Sequence, residues 1–458
     1  MARVLLVGCG PLPFTDPDQL GFSQLRTDHA LKALLGAGHE VLIALVQSEL
    51  FPQRRLSIPG YPAPFEQVGF SVGEPDWMER LAALREDFEP DVVVSAGPYE
   101  SARAAALTVG DEPLWIDVPG DPFGEAQAKA TLDRSADHGR EMRTAYAPAY
   151  ARADAFAAIS PSQRAALLGQ LGWIGRLDSI PPGREAVFSI PAGFDFGMLP
   201  MGEPRRREPE SPLTLALAGG YNTWLDADTI LEGVTSAMQE VPDLTLVSTG
   251  GAIPGHHSAT YDAFRAQALA GPFARRFTFH GWVPHSVLPR LLGRAHVGLT
   301  LDRPGVEAEL GTRTRALFFA HQGLATLATP RSDLTRELAG IRMMHPVRPG
   351  DPAHLARTLV QIWRRGQDGS QVERAQAYLG SRYGLEDLFA PLLRWVESPA
   401  RLPAAVDPEA EMAAEIARLR AQLSEVYNSP TWRVSGAADR LLKRGTKRID
   451  RMFGREGE

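Results

Sequence analysis

Residues 213–226 read LTLALAGGYNTWLD, and this stretch decides the fold. Its first five residues form the short, nearly continuous apolar run that is typical of a buried parallel strand. The run ends at the glycine pair Gly219-Gly220, and further apolar runs follow it. We predict these strands: Leu213 onward, Leu244–Ser248, Phe277–Phe279, Val297–Leu301 and Ala325–Ala328. Helical stretches such as 287–292 and 315–321 separate them, which favours a parallel sheet with helical crossovers.

The same pattern occurs earlier in the chain. The predicted strands there are Arg3–Val7, Val41–Val46, Asp91–Ala96, Leu114–Val118 and Ala155–Ile159. Leu25, Leu31, Leu34 and Leu35 lie at helical spacing between the first two of these strands and complete a βαβ unit. Two such series predict an α/β protein with two Rossmann-like, doubly wound parallel-sheet domains that face a cleft.

Composition changes mark the domain boundaries. Residues 200–212 carry four prolines and three consecutive arginines, with almost nothing to bury, and we assign them as a linker. The predicted organisation is an N-terminal domain at 1–199, a C-terminal domain at 213–380, a closing helix at 381–400 that packs back on the N-terminal domain, and a helical tail at 401–458.

The bulk composition excludes several classes of protein. A net charge of −7 over 458 residues gives no bias toward nucleic acid. The single cysteine, Cys9, excludes an intrachain disulfide and disfavours a cysteine-based zinc site. Because neither a secretory signal nor an apolar run of spanning length is recognisable, we expect a cytoplasmic protein.

Ligands of doubly wound folds bind beyond the carboxyl ends of the strands. Two glycine pairs follow the first two strands of the C-terminal domain, Gly219-Gly220 and Gly250-Gly251, and such pairs let backbone amides approach a ligand. A tight turn is the alternative role for these glycines.

The loop at 302–315 reads DRPGVEAELGTRTR. Gly311 and Thr312 fall where the next helix is predicted to begin, and free amides there suit a diphosphate. The loop also supplies candidate phosphate-binding bases and candidate acceptors for sugar hydroxyl groups: Arg303, Arg313 and Arg315, and Glu307 and Glu309. For Arg313 and Arg315 the alternative is a solvated first-turn residue or a partner of a carboxylate. For Glu307 and Glu309 it is an ordinary acid at the start of a helix.

The N-terminal domain lacks a dinucleotide-binding fingerprint. Gly8-Cys9-Gly10 follows the first strand without the third glycine at the required spacing, which disfavours a dehydrogenase. Asp121 follows the fourth predicted strand. It is either a cleft-facing base or a residue of the turn that starts at Pro119.

Several segments resemble those of GT-B glycosyltransferases, specifically the retaining, nucleotide-sugar-dependent type of bacterial surface-polysaccharide assembly. The resemblance covers residues 3 to about 397. The donor-domain segments are Gly219-Gly220-Tyr221-Asn222-Thr223-Trp224, Ser248-Thr249-Gly250-Gly251, Phe279-His280-Gly281-Trp282-Val283 and Thr312-Arg313-Thr314-Arg315. The acceptor-domain features are Gly10, Gly21, Arg26 and Gly38-His39-Glu40-Val41, and two further segments are similar, Asp117–Pro122 and, in the tail, Ser429–Arg433.

The resemblance implies that the two domains bind different substrates. The C-terminal domain would bind a nucleoside-diphosphate sugar as substrate through Gly219, Gly220, Tyr221, Asn222, Gly250, Gly251, Gly281, Trp282, Asp302, Arg303, Gly311, Thr312, Arg313 and Arg315. The N-terminal domain would hold a glycan or glycolipid acceptor, with Gly10, Gly21 and Arg26 on that side. Asp121, Glu307 and Glu309 are the catalytic candidates, with no metal ion and no separate cofactor.

Three departures from that family keep alternatives open. Residues 220–225 contain no base where relatives place an arginine and a lysine on the diphosphate. Phe318 replaces the acid that holds the ribose, and Ala325 replaces a proline. A catalytically degenerate binding scaffold within a glycan-assembly complex is therefore the second hypothesis, and a nucleotide-sugar epimerase is the third.

The tail combines two patterns. Met412, Ile416, Leu419, Leu423 and Val426 form a short heptad stripe, which would pack on the body or on a second copy of the chain. Residues 431–455 hold eight Lys/Arg against two Asp. Such a segment is either a solvated helix or a peripheral attachment to an anionic membrane surface.

Overall fold

The computed structural model describes residues 1–46, 49–135, 137–195, 197–253 and 257–403, and in the tail 416, 418–423 and 425. The strands of the N-terminal half are β1 (Arg3–Cys9), β2 (Glu40–Val46), β3 (Phe51–Leu56), β4 (Phe65–Phe70), β5 (Val92–Ala96), β6 (Leu114–Val118), β7 (Ala155–Ala158) and β8 (Val187–Ser189). Its helices are α1 (Phe22–Gly36), α2 (Trp77–Phe88), α3 (Tyr99–Thr108), α4 (Pro122–Asp133), α5 (Asp137–Arg152) and α6 (Pro161–Trp173).

The C-terminal half repeats the alternation. Its strands are β9 (Leu213–Leu217), β10 (Leu244–Ser248), β11 (Phe277–Phe279), β12 (Val297–Thr300), β13 (Ala325–Ala328) and β14 (His345–Pro346). Its helices are α7 (Ala227–Glu240), α8 (Ala259–Ala270), α9 (Leu288–Leu291), α10 (Val306–Leu310), α11 (Thr314–His321), α12 (Asp333–Gly340), α13 (Pro352–Arg365), α14 (Ser370–Tyr383), α15 (Leu385–Leu388) and α16 (Ala390–Glu397).

Two separate sheets confirm the predicted fold class. Within the described residues the first sheet has the order β3-β4-β2-β1-β5-β6-β7-β8, and the second has the order β11-β10-β9-β12-β13-β14. All neighbours are parallel except β3 and β4, which pair antiparallel. The central strands are buried, as the continuous apolar runs predict, and each sheet forms its own hydrophobic core.

Four strands lie outside the sequence prediction, and each is polar, short or peripheral. β3 reads FPQRRL, contains a proline and is mostly exposed, which suits an edge strand but not a buried one. β4 lies next to it, while β8 and β14 have three and two residues and occupy sheet edges. A search for buried apolar runs misses the edge strands β3, β8 and β14 because they are exposed or very short. β4 is mostly buried, but its sequence FEQVGF contains no continuous apolar run.

The segment at 200–212 is irregular, but it is bound to the C-terminal half. The backbone nitrogen of Gly202 donates to the His321 carbonyl, and Arg207 pairs with Gln367 in both directions. The Arg207 side chain is buried and donates to the Trp363 carbonyl. The expectation that this linker buries almost nothing is therefore wrong at Arg207.

The chain returns to the N-terminal half after α14. Gly384 forms a bridge with Phe194, and the side chains of α16 join the apolar cluster behind β1 and β6. The Trp395 ring lies 5.5 Å from the ring of Trp115. The contacts of α16 thus tie the two halves together at one end of the molecule.

Beyond α16, residues 400–403 remain attached to the N-terminal half. The buried Arg176 donates to the Pro403 carbonyl at 2.5 Å, and the Leu402 backbone nitrogen donates to Asp154 at 2.8 Å. In the tail, Ile416, Leu419 and Leu423 are helical and about half exposed, at 44%, 50% and 53%. Met412, Val426 and the basic segment 431–455 lie outside the described residues.

Candidate active site

The carboxyl ends of the two sheets face each other across a cleft. The helix after β6, α4, packs against α10, and a Cβ atom placed on Gly124 would lie 3.0 Å from the backbone nitrogen of Glu307. The helix after β7, α6, meets α12, where Asp333 accepts hydrogen bonds from the backbone and hydroxyl of Ser162 at 2.9 and 2.8 Å. These contacts place the loops after β9, β10 and β12 opposite the N-terminal domain.

The glycine loops of the C-terminal domain pack on one another. Gly219 and Gly250 have left-handed backbone angles, with φ of +83° and +79°. A Cβ atom on Gly250 would collide with the carbonyl oxygen of Gly219, and the Gly250 nitrogen donates to the Gly281 carbonyl at 2.6 Å. At Gly250 and Gly219 the missing side chains therefore allow close approach between neighbouring loops, and donor binding by these loops stays a prediction.

Two aromatic residues of the predicted donor site are engaged within the domain. Tyr221 is 1% exposed, belongs to the core, and its hydroxyl lies 2.9 Å from the Ser248 hydroxyl. The Trp282 indole donates to the Ala252 carbonyl at 2.6 Å, and Asn222 remains half-buried at the loop. The Tyr221 side chain packs under the loop, and the assignment of Tyr221 to donor binding stays a prediction.

A buried network fixes the loop at 302–315. The Arg313 guanidinium donates from Nε to Asp302 at 2.7 Å and from Nη1 and Nη2 to the two carboxylate oxygens of Glu307 at 3.2 and 2.7 Å. All three side chains are at most 6% exposed. Burial raises the pKa of Glu307 to about 7, although Arg313 opposes the shift. Arg313 and Glu307 thus form an ion pair within the loop, and their assignment to the diphosphate and to catalysis stays a prediction.

Two further charged residues of this loop, Arg303 and Glu309, also have ion-pair partners. Arg303 donates to Asp228 at 2.9 Å, and Glu309 accepts from Arg331 at 2.6 Å. Gly311 leaves room for the Glu307 carboxylate, which a Cβ atom there would overlap. Helix α11 begins at Thr314, so Gly311 and Thr312 precede the first turn instead of forming it as expected.

Arg315 differs from its neighbours. It lies in the first turn of α11, and its guanidinium donates to the carbonyl of Gly220 beside the glycine loop after β9. It is half-buried, and burial lowers its pKa. Arg315 forms no ion pair with any residue that the structure describes. The site therefore contains, next to Gly219-Gly220, a partly desolvated cation that forms no ion pair with the described residues, although the charges of Asp302 and Glu307 act against the lowering of its pKa.

Across the cleft, Asp121 has a structural role. It is the N-cap of α4: one carboxylate oxygen accepts from the Gly124 backbone at 2.6 Å, and the other accepts from Gln170 at 2.6 Å. Asp121 is 3% exposed, so neither oxygen is directed to a substrate. These contacts agree with the turn interpretation of Asp121, and its catalytic role stays a prediction.

Comparisons with known proteins agree with this architecture. Residues 23–183 match the family model of the glycosyl transferase 4-like domain, while no curated protein matches the chain. The sucrose-phosphate synthase of Thermosynechococcus elongatus superposes with a TM-score of 0.63 at 14% identity, over 87% of this chain and 100% of that one. Anabaena HepE in complex with UDP-glucose gives 0.59 at 12%, and the E. coli trehalose-6-phosphate structure bound with UDP-2-fluoro glucose gives 0.60 at 11%, both with the same coverage.

The chain has the two-domain GT-B fold of these structures.

On the predicted acceptor side, Arg26 is fully buried. Its guanidinium donates to both carboxylate oxygens of Asp117, at 2.6 and 3.0 Å, and to the carbonyl groups of Ile190 and Pro191. It also lies 4.8 Å from the Phe389 ring of the returning segment. Arg26 therefore joins α1, β6 and the closing segment, and its expected role on the acceptor side stays a prediction.

The two glycines of the predicted acceptor side lie at the start of α1. Gly21 is the N-cap of the helix, and its backbone nitrogen donates to the Gln24 side chain at 3.1 Å. Gln24 in turn donates to the Gly10 carbonyl at 3.4 Å. These contacts fix the loop before α1 at the edge of the cleft, and acceptor binding there stays a prediction.

Phe318, at the position where relatives carry an acid, packs against two apolar clusters and lies 5.8 Å from the Phe319 ring. In the described parts of the chain, no group of three or more His, Cys, Asp or Glu side chains is arranged to hold a metal ion. Nor is any described helix long and apolar enough to cross a membrane.

One cleft carboxylate was not identified from the sequence. Glu125 lies in the first turn of α4, with one oxygen 2.9 Å from the place of a Cβ atom on Gly120. In the sequence it is an ordinary acid at the start of a helix, and only the packing of α4 on α10 places it in the cleft.

Proposed function

We propose that this glycosyltransferase transfers a sugar from a nucleoside-diphosphate sugar to a glycan or glycolipid acceptor in polysaccharide biosynthesis. The donor would lie on the C-terminal domain, with its diphosphate at the loop formed by Gly219 and Gly220. Two structural neighbours contain UDP-glucose and UDP-2-fluoro glucose, respectively, which supports a nucleoside-diphosphate sugar as the donor class.

Arg315 carries this proposal. A partly desolvated guanidinium without a carboxylate partner is unfavourable in the free protein and requires an anionic ligand to compensate it. A guanidinium presents several N–H groups in one plane, and this arrangement matches phosphate oxygens well. Arg315 also lies next to a glycine loop whose backbone a ligand can approach closely. The combination suits a diphosphate better than a carboxylate or a neutral ligand.

The proposed role of Arg315 in the reaction follows from the negative charge that develops on the leaving group. When the bond between sugar and diphosphate breaks, negative charge accumulates on the leaving phosphate, and Arg315 would stabilise it in place of a metal ion. The network of Arg313, Asp302 and Glu307 would hold the loop in position without touching the reacting atoms. We propose retention at the anomeric carbon on the basis of the resemblance to retaining GT-B enzymes.

The proposed acceptor and location rest on the chain's organisation. The tail leaves the described body at Pro403, on the N-terminal domain that would bind the acceptor. We propose cytoplasmic peripheral attachment at the inner face of the cell membrane through the basic segment 431–455. The half-exposed stripe of Ile416, Leu419 and Leu423 would pair with a second copy of the chain.

A thermal-shift screen of the purified protein against UDP, GDP, ADP and their glucose conjugates tests the donor proposal. A ligand that binds only the folded state raises its stability by mass action, so a millimolar site is detectable at high ligand concentration. We expect one nucleoside diphosphate to raise Tm and its sugar conjugate to release sugar slowly to water or to a glycan acceptor. The absence of a shift with every diphosphate would refute the donor proposal.

Phe318 supports the second candidate function, a catalytically degenerate binding protein. An aromatic side chain cannot accept hydrogen bonds from a ribose, and here it is packed against apolar neighbours. Binding of a nucleoside-diphosphate sugar without hydrolysis or transfer would favour this function. Interconversion of the sugar without an acceptor would instead indicate an epimerase.

A further inference from the structure

Glu125 occupies an unusual position at the contact between the two domains. It follows Gly124, whose α-carbon packs directly under the start of α10, and its own carboxylate lies over Gly120. Several ionisable side chains surround it: Asp121 and Lys129 on α4, Glu307 on α10, Arg313 after α10, Tyr99 on α3 and Tyr146 on α5. Glu125 thus faces both halves of the glycosyltransferase.

The other carboxylates of this region have partners, and Glu125 does not. Asp121 caps α4, Asp302 and Glu307 bind Arg313, and Glu309 binds Arg331. Among the described residues, no side chain or backbone amide donates a hydrogen bond to the Glu125 carboxylate. A partly buried acid in this state usually has an external partner or a function that requires it.

The electrostatic surroundings define what that partner can be. Burial raises the pKa of Glu125 to about 7, and the negative charge of Glu307 adds to the shift while Lys129 opposes it. A second anion would increase the repulsion that Glu125 and Glu307 already experience. A hydroxyl group, by contrast, donates a hydrogen bond to the carboxylate and adds no charge.

We propose that Glu125 is a sugar-binding residue that accepts a hydrogen bond from a hydroxyl group of the donor sugar and disfavours donors that carry a carboxylate. This inference rests on the proposed function. The donor would be anchored by its diphosphate at Arg315 and would direct its sugar toward α10 and α4. The N-terminal domain therefore contributes to recognition of the donor sugar, and the preferred class is an uncharged, polyhydroxylated hexose.

The test compares three probes on the full-length protein: UDP, UDP-glucose and UDP-glucuronic acid, or the ADP or GDP counterparts if the screen selects that base. Binding is measured by calorimetry for the wild type, Glu125→Ala, Glu125→Gln and the control Glu79→Gln. Glu79 is an exposed acid on α2, away from the cleft. Melting temperatures of all four proteins report whether each variant folds.

We expect Glu125→Ala to bind the nucleoside diphosphate within about twofold of the wild type and the glucose conjugate about tenfold or more weakly, because a hydrogen bond to a charged group is lost. Glu125→Gln should bind the glucuronic acid conjugate better than the wild type does, because one negative charge is removed. Glu79→Gln should match the wild type with every probe.

Equal affinity of the wild type for the glucose and glucuronic acid conjugates would overturn the inference, as would unchanged binding of the glucose conjugate to Glu125→Ala. An effect of Glu125→Ala on acceptor KM alone would also overturn it, since it would place Glu125 on the acceptor. If the wild type bound no diphosphate at all, the proposed function itself would be refuted. These failures are distinguishable because the diphosphate alone does not require Glu125.

Discussion

Arg313 and Arg315 are two residues apart, yet the structure assigns them opposite roles. Arg313 lies inside a buried network with Asp302 and Glu307, whereas Arg315 has no anionic partner among the described residues. Replacing each arginine by methionine keeps most of the side-chain volume and removes the charge. The two variants should therefore separate structural stabilisation from ligand binding.

The expected magnitudes follow from these contacts. Arg313→Met leaves two buried carboxylates without a cation, which costs about 3–5 kcal/mol in the free energy of unfolding. For domains of this size, that loss lowers Tm by about 10 °C. Arg315→Met loses one hydrogen bond to the Gly220 carbonyl but also removes a desolvated charge, so we expect Tm within about 2 °C of the wild type.

For ligand affinity we expect the opposite order, with Arg315→Met affected more than Arg313→Met. A guanidinium has five N–H donors, and Arg315 uses one group for Gly220, which leaves the others for phosphate oxygens. One hydrogen bond to a charged group contributes about 1.5–3 kcal/mol, so Arg315→Met should weaken nucleoside diphosphate binding by about 10- to 150-fold.

The assay is calorimetric titration with the diphosphate found in the screen, together with thermal denaturation of the free proteins. Arg303→Met is a matched control, because its partner Asp228 is largely exposed and the loss should be small for both readouts. The reasoning is refuted if Arg315→Met binds the diphosphate like the wild type while losing as much stability as Arg313→Met.

Three further predictions concern other parts of the molecule. Arg26→Met leaves the buried Asp117 uncompensated and should lower the unfolding free energy by about 3–5 kcal/mol in chemical denaturation, while the acceptor KM of any protein that remains folded stays unchanged; a selective rise of that KM would instead restore Arg26 to the acceptor site. The pKa of Glu125 is about 7 in the folded protein against an ordinary 4.5, so near neutral pH the folded state retains a proton that the unfolded state has lost. The free energy of unfolding should therefore fall by about 2 kcal/mol between about pH 5 and pH 8. Urea denaturation of Glu125→Gln over the same pH range should show a smaller fall. Asp333→Ala removes both hydrogen bonds to Ser162 across the cleft, and small-angle scattering should detect a larger radius of gyration than in Ser332→Gly, which changes the cap of the same helix but not this contact.

The sequence predicted the alternating architecture because burial on both faces of a parallel sheet leaves a local signature. β10, β11 and β13 begin and end at the predicted residues. The edge strand β3 left no such signature, since an exposed strand is held by its neighbour's backbone and tolerates FPQRRL. Local pattern thus sufficed wherever burial determined the residue types.

The sequence also identified the loops that line the cleft, because the ends of parallel strands follow from the strand order. It could not rank the charged residues within them. The three arginines of the loop are the same residue type, but each has a different partner. Arg303 binds Asp228, which is 75 residues away, and Arg313 binds Asp302 and Glu307. Arg315 binds the Gly220 carbonyl, which is 95 residues away. Glu125 became a site candidate only when α10 was seen to pack on α4.

The amino-acid sequence alone therefore determined the two doubly wound domains, the glycosyltransferase resemblance and the edge of each sheet where a ligand would bind. The tertiary structure decided which arginine is free for an anion, which acids are already neutralised and which carboxylate faces the cleft alone. The physical reason is that burial periodicity is encoded in neighbouring residues, whereas the free energy of a charge depends on the groups brought to it through space.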